Sequence, residues 1–138
     1  MKTSKYKFIE LPKITDGRGN LTFIEAEKHV PFKIKRTYFI YAVPHNQVRG
    51  NHAHKTLYQF IIAINGSFNI TLDDGMSKKK KYHLTKPNSG LYLAPMVWRK
   101  LDDFSENAVC LCLVSELYDE NDYIRDYKYF KKMVKKNV

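Results

Sequence analysis

The sequence has no long apolar segment. No run in its 138 residues approaches the ~20 apolar residues that a membrane-spanning helix needs, and the opening MKTSKYKFIE lacks the apolar stretch of a signal peptide. The composition is nevertheless 43% hydrophobic and 14% aromatic, which is enough for a core and atypical of a disordered chain. We therefore expect a single folded domain over residues 1–138, located in the cytoplasm and without a membrane partner.

Cysteine is also scarce. The two cysteines, Cys110 and Cys112, lie in the strand-like run AVCLCLV. Residues i and i+2 of a strand point to the same face, which is awkward for a disulfide, and no further cysteine supports a metal-binding CxC. We expect two buried, reduced thiols.

Acidic residues are outnumbered. The sequence has 14 Asp and Glu against 24 Lys and Arg, which gives a net charge of +10. This balance favours an anionic partner, either nucleic acid or a small molecule that carries phosphate. Much of the excess lies in KKKK at 78–81 and KKMVKK at 131–136, and such runs are typical of solvated loops and tails. The charge alone therefore does not identify the partner.

Helical periodicity is rare in this chain, and short β-like runs separated by turn signals dominate. They give eight or more strands at spacings typical of a sandwich or barrel. Asn65-Gly66, between LYQFIIAI and SFNITLDD, is a strong hairpin signal. The pattern predicts an all-β domain.

One helix is predicted at the C-terminus, at about 119–136, with Asp119 as a possible N-cap. Acidic residues in its first turn and lysines in its last match the helix dipole. Four apolar side chains recur at helical spacing and form one face: Tyr123, Tyr127, Phe130 and Val134.

The motif VRGNHAHK carries two histidines that project from the same face of a strand. His52 and His54 would lie roughly 6.5–7 Å apart along it. HxH is a common way to present two metal ligands, and metal-binding cupins add a Glu on the same strand and a later His. Here those two positions fall on Gln59 and Arg99, a neutral amide and a guanidinium that stays protonated and repels a cation. The sequence therefore argues against a bound metal.

Two alternatives remain for these imidazoles. With an unperturbed pKa near 6.5, they suit proton transfer between neighbouring carbons of a substrate bound in a barrel. Otherwise both rings are satisfied by hydrogen bonds and have no chemical role. His29, His45 and His83 lie in predicted loops or at strand edges, and we expect them in solvent.

At this point the sequence resembles a known family. RGNHAHK, together with INGSF, LDDG, the Trp-Arg of APMVWRK and the closing YDENDYIRDY, is similar to the cupin-fold dTDP-sugar 3,4-ketoisomerases. The resemblance runs from about Ile14 to about Phe130. It implies an all-β cupin barrel or jelly roll with a C-terminal helix, and a homodimer that exchanges N-terminal strands.

The resemblance also implies an activity. Members of this family move the ketone of dTDP-4-keto-6-deoxy-D-glucose from C4 to C3 without a metal or redox cofactor, for the synthesis of 3-amino deoxysugars in surface polysaccharides. On this basis we expect a dTDP-linked 4-keto-6-deoxy sugar as the partner and no nucleic acid.

Roles follow position by position from the same resemblance. His52, His54 and Tyr38 match catalytic positions, and either histidine suits the base at C3. Arg18, in the DGRG turn, matches a segment beside the hexose. Arg36 and Arg49 suit the pyrophosphate, since a guanidinium meets phosphate oxygens in bidentate fashion. Gln59 and Arg99 are expected to line the cavity, and Trp98 suits either the core or a stacked ligand.

Three rival functions stay open at this stage. The first is a dTDP-4-keto sugar 3,5-epimerase, which would exchange the C3 proton without moving the carbonyl. The second is a non-catalytic sugar-nucleotide-binding cupin with passive histidines. The third is a nucleic-acid-binding barrel, which needs basic residues interleaved with exposed aromatics rather than grouped in a loop and a tail.

Overall fold

The computed structural model describes residues 4–137, most of whose ordered elements are β-strands. The strands of the first sheet are β1 Tyr6–Glu10, β4 Arg36–Tyr41, β6 Gln59–Asn65, β9 Ser89–Leu93 and β11 Val109–Val114. Those of the second are β5 Arg49–His54, β7 Phe68–Asp73, β8 Lys80–Leu84, β10 Trp98–Asp102 and β12 Tyr123–Ile124. A separate hairpin is formed by β2 Lys13–Asp16 and β3 Gly19–Thr22, and the helix α1 spans Tyr127–Lys136.

The two five-stranded sheets are antiparallel throughout. The first has the order β1-β9-β6-β11-β4 and the second the order β12-β5-β10-β7-β8. Their facing apolar side chains form the main core. The predicted fold class, all-β with a helix at the C-terminus, is confirmed.

Alternation of side chains explains how the strands bury one face. On β7, Phe68, Ile70 and Leu72 are fully buried and point into the core. On the edge strand β4, Tyr38 and Ile40 pack inward, while the alternating residues Thr37, Phe39 and Tyr41 are exposed. Side chains from three strands of the first sheet, β4, β6 and β11, face side chains of the second sheet where the cavity described below opens.

The hairpin predicted at Asn65-Gly66 is wrong. β6 pairs with β9 and β11, whereas β7 pairs with β8 and β10, so the turn carries the chain from one sheet to the other. Gly66 has φ +66°, and a Cβ there would lie 2.9 Å from the Ala108 backbone. Asn-Gly marks a tight turn with left-handed backbone, but it does not determine which strands pair after the turn.

The C-terminal helix begins eight residues later than predicted. Asp119 caps a short 3₁₀ turn, Glu120–Asp122, and the next two residues pair with β5 as β12. The helix N-cap is Asp126, whose carboxylate accepts hydrogen bonds from the backbone of Lys128 and Tyr129. Asp119 and Asp126 are seven residues apart and have the same capping chemistry. Because residues 123–124 pair with β5, the helix begins after Asp126 rather than after Asp119.

Two further predictions concern the cysteines and membrane spans. Cys110 and Cys112 are free and buried, with their Sγ atoms 3.8 Å apart, which confirms the prediction of reduced thiols. Among residues 4–137, no helix is both long and apolar enough to span a membrane.

Candidate active site

A cavity of about 580 Å³ opens between the two sheets. Its lining collects most of the residues singled out from the sequence: Arg36, Tyr38, Arg49, His52, Gln59 and Arg99. It also includes residues that the sequence analysis did not select: Cys112, Tyr118, Tyr123 and Arg125. Five separate strands and the segment before α1 contribute to it.

His52 is carried into the cavity by an irregular stretch of β5. The β5–β10 register pairs Arg99 with His52 and Lys100 with Gly50, so Asn51 is an extra, bulged residue. Such bulges bend a strand and re-aim its side chains. Gly50 has φ +85°, and a Cβ on it would lie 3.0 Å from the Arg99 carbonyl oxygen, so only glycine fits this close approach. The Arg-Gly before the histidines therefore shapes the site.

The hydrogen bond made by His52 fixes which of its nitrogens carries the proton. Nδ1 lies 3.2 Å from the Gly50 carbonyl oxygen, which can only accept, so Nδ1–H donates. Nε2 is left with its lone pair. Burial, followed by the positive charge of Arg99, lowers the pKa of His52 to about 3. The ring is therefore neutral at neutral pH, with a lone pair on Nε2.

His54 lies beside His52 but is buried, with 1% of its surface exposed. The two rings are in edge contact with centroids 4.9 Å apart, and Tyr123 packs on both. Nδ1 of His54 lies 3.0 Å from Oδ2 of Asp122. Burial, followed by the positive charges of Arg99, Arg36 and Arg125, lowers the pKa of His54 to about 2.

Three polar side chains form what we call the cavity floor: Arg99, Gln59 and Tyr38. The Arg99 guanidinium donates to the Val97 carbonyl oxygen and to the Gln59 amide oxygen, and Gln59 Nε2 donates to the Tyr38 hydroxyl at 2.7 Å. Burial lowers the pKa of Arg99 to about 10, so it keeps its charge at neutral pH. Burial raises the pKa of Tyr38, so the phenol keeps its proton. The floor thus offers a fixed cation and a hydroxyl donor.

The segment from Tyr118 to Asp126, which we call the C-terminal wall, closes one side. Arg125 makes a two-point ion pair with Glu120, at 2.8 and 3.0 Å, which lowers the pKa of Glu120 to about 2. Its guanidinium lies 4.3 Å from the centre of the Tyr123 ring. The charge of Arg125 is balanced by Glu120, whereas Arg36 and Arg49 also line the cavity and add positive charge to its mouth.

Arg18 is the one predicted site residue that lies elsewhere within the chain. It sits on the turn of the β2–β3 hairpin and pairs with Asp16 at 2.8 Å, with its side chain 92% exposed. Trp98 packs against Tyr127 and Phe130, which places it in the core rather than the cavity.

The remaining histidines lie outside the cavity lining. His45 and His83 are exposed, as predicted, whereas His29 is half-buried and accepts a hydrogen bond from the Glu25 backbone. Among residues 4–137, no group of three or more His, Cys, Asp or Glu side chains is arranged to hold a metal ion.

Sequence reasoning missed Asp122, Tyr123 and Arg125. All three belong to DENDYIRD, whose composition predicts the start of the helix and does not place their side chains at the site. The pairing of Tyr123 with His54 and of Ile124 with Ala53 brings them there. The useful signal was a second capping aspartate, Asp126, immediately before the apolar helical repeat.

Comparison with known proteins gives consistent matches. Residues 4–135 match the family model described as FdtA, WxcM-like, C-terminal. The chain is 45% identical over 130 residues to the TDP-4-oxo-6-deoxy-alpha-D-glucose-3,4-oxoisomerase of Aneurinibacillus thermoaerophilus, covering 94% of this chain and 93% of that one.

Solved structures agree. A mutant of the 3,4-ketoisomerase QdtA from Thermoanaerobacterium thermosaccharolyticum, in complex with TDP-4-keto-6-deoxyglucose, is 41% identical with a TM-score of 0.94 and 99% coverage of both chains. The TDP-quinovose 3,4-ketoisomerase WlaRB from Campylobacter jejuni is 42% identical with a TM-score of 0.90, covering 94% of this chain and 99% of that one.

Proposed function

Because the chain belongs to the FdtA-like (WxcM-like, C-terminal) family, we propose that it is a sugar-nucleotide 3,4-ketoisomerase with a cupin fold. Its substrate would be dTDP-4-keto-6-deoxy-D-glucose, whose ketone it moves from C4 to C3. The relatives that carry this activity by name match nearly the whole chain. The observation that carries the proposal is a neutral imidazole, His52, in one cavity with a buried guanidinium and a phenol.

We assign the C3 base to His52 because its ring lines the cavity, whereas His54 is buried behind it. The C4 carbonyl acidifies the C3 proton. His52 Nε2 removes that proton, and the electron pair forms an enediolate across C3 and C4. The proton returns at C4, so the same imidazole ends the cycle neutral. A well-placed group of this kind typically contributes about 10²–10⁴-fold to the rate.

The oxygens must also exchange a proton. As the ketone shifts, O4 gains a proton and O3 loses one. The Tyr38 hydroxyl, held by Gln59, suits this transfer because burial keeps it protonated until the oxyanion forms. The Arg99 charge stabilises the negative enediolate in a site shielded from water.

The charged mouth suits the nucleotide. Arg36, Arg49 and Arg125 offer guanidinium groups that can meet pyrophosphate oxygens in pairs, as required for a dTDP-linked sugar. Tyr118 and Tyr123 lie beside them with exposed ring surface for packing. A 3-keto product is the form that an aminotransferase needs to make a 3-amino sugar. We therefore propose that the enzyme acts in deoxysugar synthesis for surface polysaccharides, in the cytoplasm.

We further propose a homodimer. The edge strand β4 exposes Phe39 and Tyr41, at 58% and 64%, and the β2–β3 hairpin exposes Ile14 and Leu21. Each pair is adjacent, because the Phe39 and Tyr41 ring centroids are 5.7 Å apart and Ile14 lies opposite Leu21, and exposed apolar surface of this kind marks interaction sites. Since β1 pairs with β9 of its own chain, the hairpin is the element free to cross to a partner, and it would carry Arg18 toward the partner subunit's cavity. Analytical ultracentrifugation should find a dimer, and a monomer at micromolar concentration would contradict it.

Product identity tests the activity most simply. NMR of the products from dTDP-4-keto-6-deoxyglucose should show the carbonyl carbon at C3. Deuterium wash-in at C3 with an unmoved carbonyl would instead identify an epimerase. Tight dTDP binding without turnover would identify a binding protein with passive histidines.

A further inference from the structure

Asp122 lies outside the cavity lining, yet it is tied closely to the strand that carries both histidines. Its Oδ1 accepts hydrogen bonds from the Thr56 backbone N–H and hydroxyl, both at 2.8 Å, and its Oδ2 lies 3.0 Å from His54 Nδ1. Its own carbonyl oxygen accepts from Lys55 N at 3.0 Å. Both carboxylate oxygens are therefore engaged, and the carboxylate is fixed against the end of β5.

This arrangement fixes the tautomer of His54. A carboxylate only accepts hydrogen bonds, so His54 Nδ1 must carry the proton and Nε2 must keep its lone pair. Nε2 is buried and has no hydrogen-bond partner within residues 4–137. The His54 ring contacts His52 and Tyr123, which belong to the proposed site. The positive charges of cavity arginines, Arg99 foremost, lower its pKa.

We propose that Asp122 is a positioning residue of the isomerase: it holds His54 in the Nδ1–H tautomer, so that the buried Nε2 of this ring, which is in edge contact with His52, carries a lone pair rather than a proton. The inference rests on the proposed function. The opposite tautomer would put the proton on the buried Nε2 and reverse the dipole of the ring that packs on the proposed base during proton transfer. Turnover should therefore depend on Asp122 although this residue touches no substrate.

The substitution Asp122→Asn reverses the tautomer by design. The Thr56 backbone N–H and hydroxyl both donate to Oδ1, so the amide oxygen should stay on that side and the NH₂ group should face His54 Nδ1. Nδ1 must then accept, and the proton moves to Nε2. In serine-protease triads the same exchange preserves geometry but costs ~10⁴-fold in kcat. Because Asp122 acts behind the proposed base, we expect a smaller loss, at least about tenfold in kcat, with KM nearly unchanged.

Nitrogen-15 NMR of the imidazoles reads the tautomer directly and without substrate. We expect His54 to be protonated on Nδ1 in the wild type and on Nε2 in Asp122→Asn. Asp103→Asn is the matched control, because it removes the same charge outside the cavity lining and the C-terminal wall, keeps a side chain that tolerates the left-handed backbone at this position (φ 54°), and contacts neither His52 nor His54. It should match the wild type in tautomer and in kcat.

Two results would overturn this inference. One is a wild-type His54 protonated on Nε2, which decides the matter even if Asp122→Asn fails to fold. The other is a variant whose tautomer is reversed while kcat is unchanged. An inactive wild type with the expected tautomer would count against the proposed function instead, so the two failures are distinguishable.

Discussion

The cavity floor and the C-terminal wall are built from different kinds of sequence. Tyr38, Gln59 and Arg99 of the floor stand on strands of five to seven residues in the two main sheets, and their hydrogen bonds run from one side chain to the next. The wall is an irregular segment with a 3₁₀ turn and a two-residue strand, held by Asp122 and by the Arg125–Glu120 pair. The floor is buried and should govern the chemistry, whereas the mouth side of the wall is more exposed and should govern nucleotide binding.

Removing the floor hydroxyl should have the largest effect in this comparison. Tyr38→Phe keeps the ring but removes the group that Gln59 holds at 2.7 Å. We expect kcat to fall by about 10²-fold, with KM little changed, in steady-state assays of ketone migration. Tyr82→Phe, whose ring packs outside the cavity on Tyr6 and Phe8, is the control. A Tyr38→Phe enzyme with wild-type kcat would remove the phenol from the mechanism.

Substitutions on the mouth side of the wall should change the affinity for dTDP rather than kcat. Arg125→Gln removes a guanidinium proposed to meet the pyrophosphate, and one charge-assisted hydrogen bond is worth enough to weaken dTDP binding about tenfold. Titration calorimetry should show this loss, while kcat at saturating substrate stays near that of the wild type. Lys55→Gln removes an exposed positive charge outside the cavity lining and should bind normally. Equal affinity in the two variants would mean that the wall does not hold the nucleotide.

The smallest effect concerns stability and pH. Unfolded His52 takes up a proton below pH about 6.5, whereas the folded chain resists it until its pKa of about 3. The unfolded state therefore binds more protons in this window, and the free energy of unfolding falls as pH falls. Urea titrations between pH 6.5 and 4.5 give the free energy of unfolding at each pH. The slope of this free energy against pH should be shallower in His52→Asn by up to about 1.4 kcal/mol per pH unit. His83→Asn, at an exposed position, should keep the wild-type slope, and identical slopes in all three proteins would contradict the buried neutral imidazole.

The same contrast explains what the sequence could predict. Strand alternation and the HxH spacing predicted that His52 and His54 lie together, and the resemblance added Gln59 and Arg99 to the same cavity. The wall residues Asp122 and Arg125 were missed because an acidic segment before a helix has the composition of a helix start, and only pairing with β5 shows otherwise. Arg18 illustrates a third limit: it lies on an exposed hairpin away from the cavity, and only the proposed dimer would bring it to a site.

The central claim is that His52 removes the C3 proton. The most direct measurement follows the loss of deuterium from C3 of dTDP-4-keto-6-deoxyglucose by NMR, with the wild type beside His52→Asn. We predict that the wild type loses the label as the ketone appears at C3, and that His52→Asn loses it at least about 10²-fold more slowly. Loss of the label at the wild-type rate in His52→Asn would show that another group is the base.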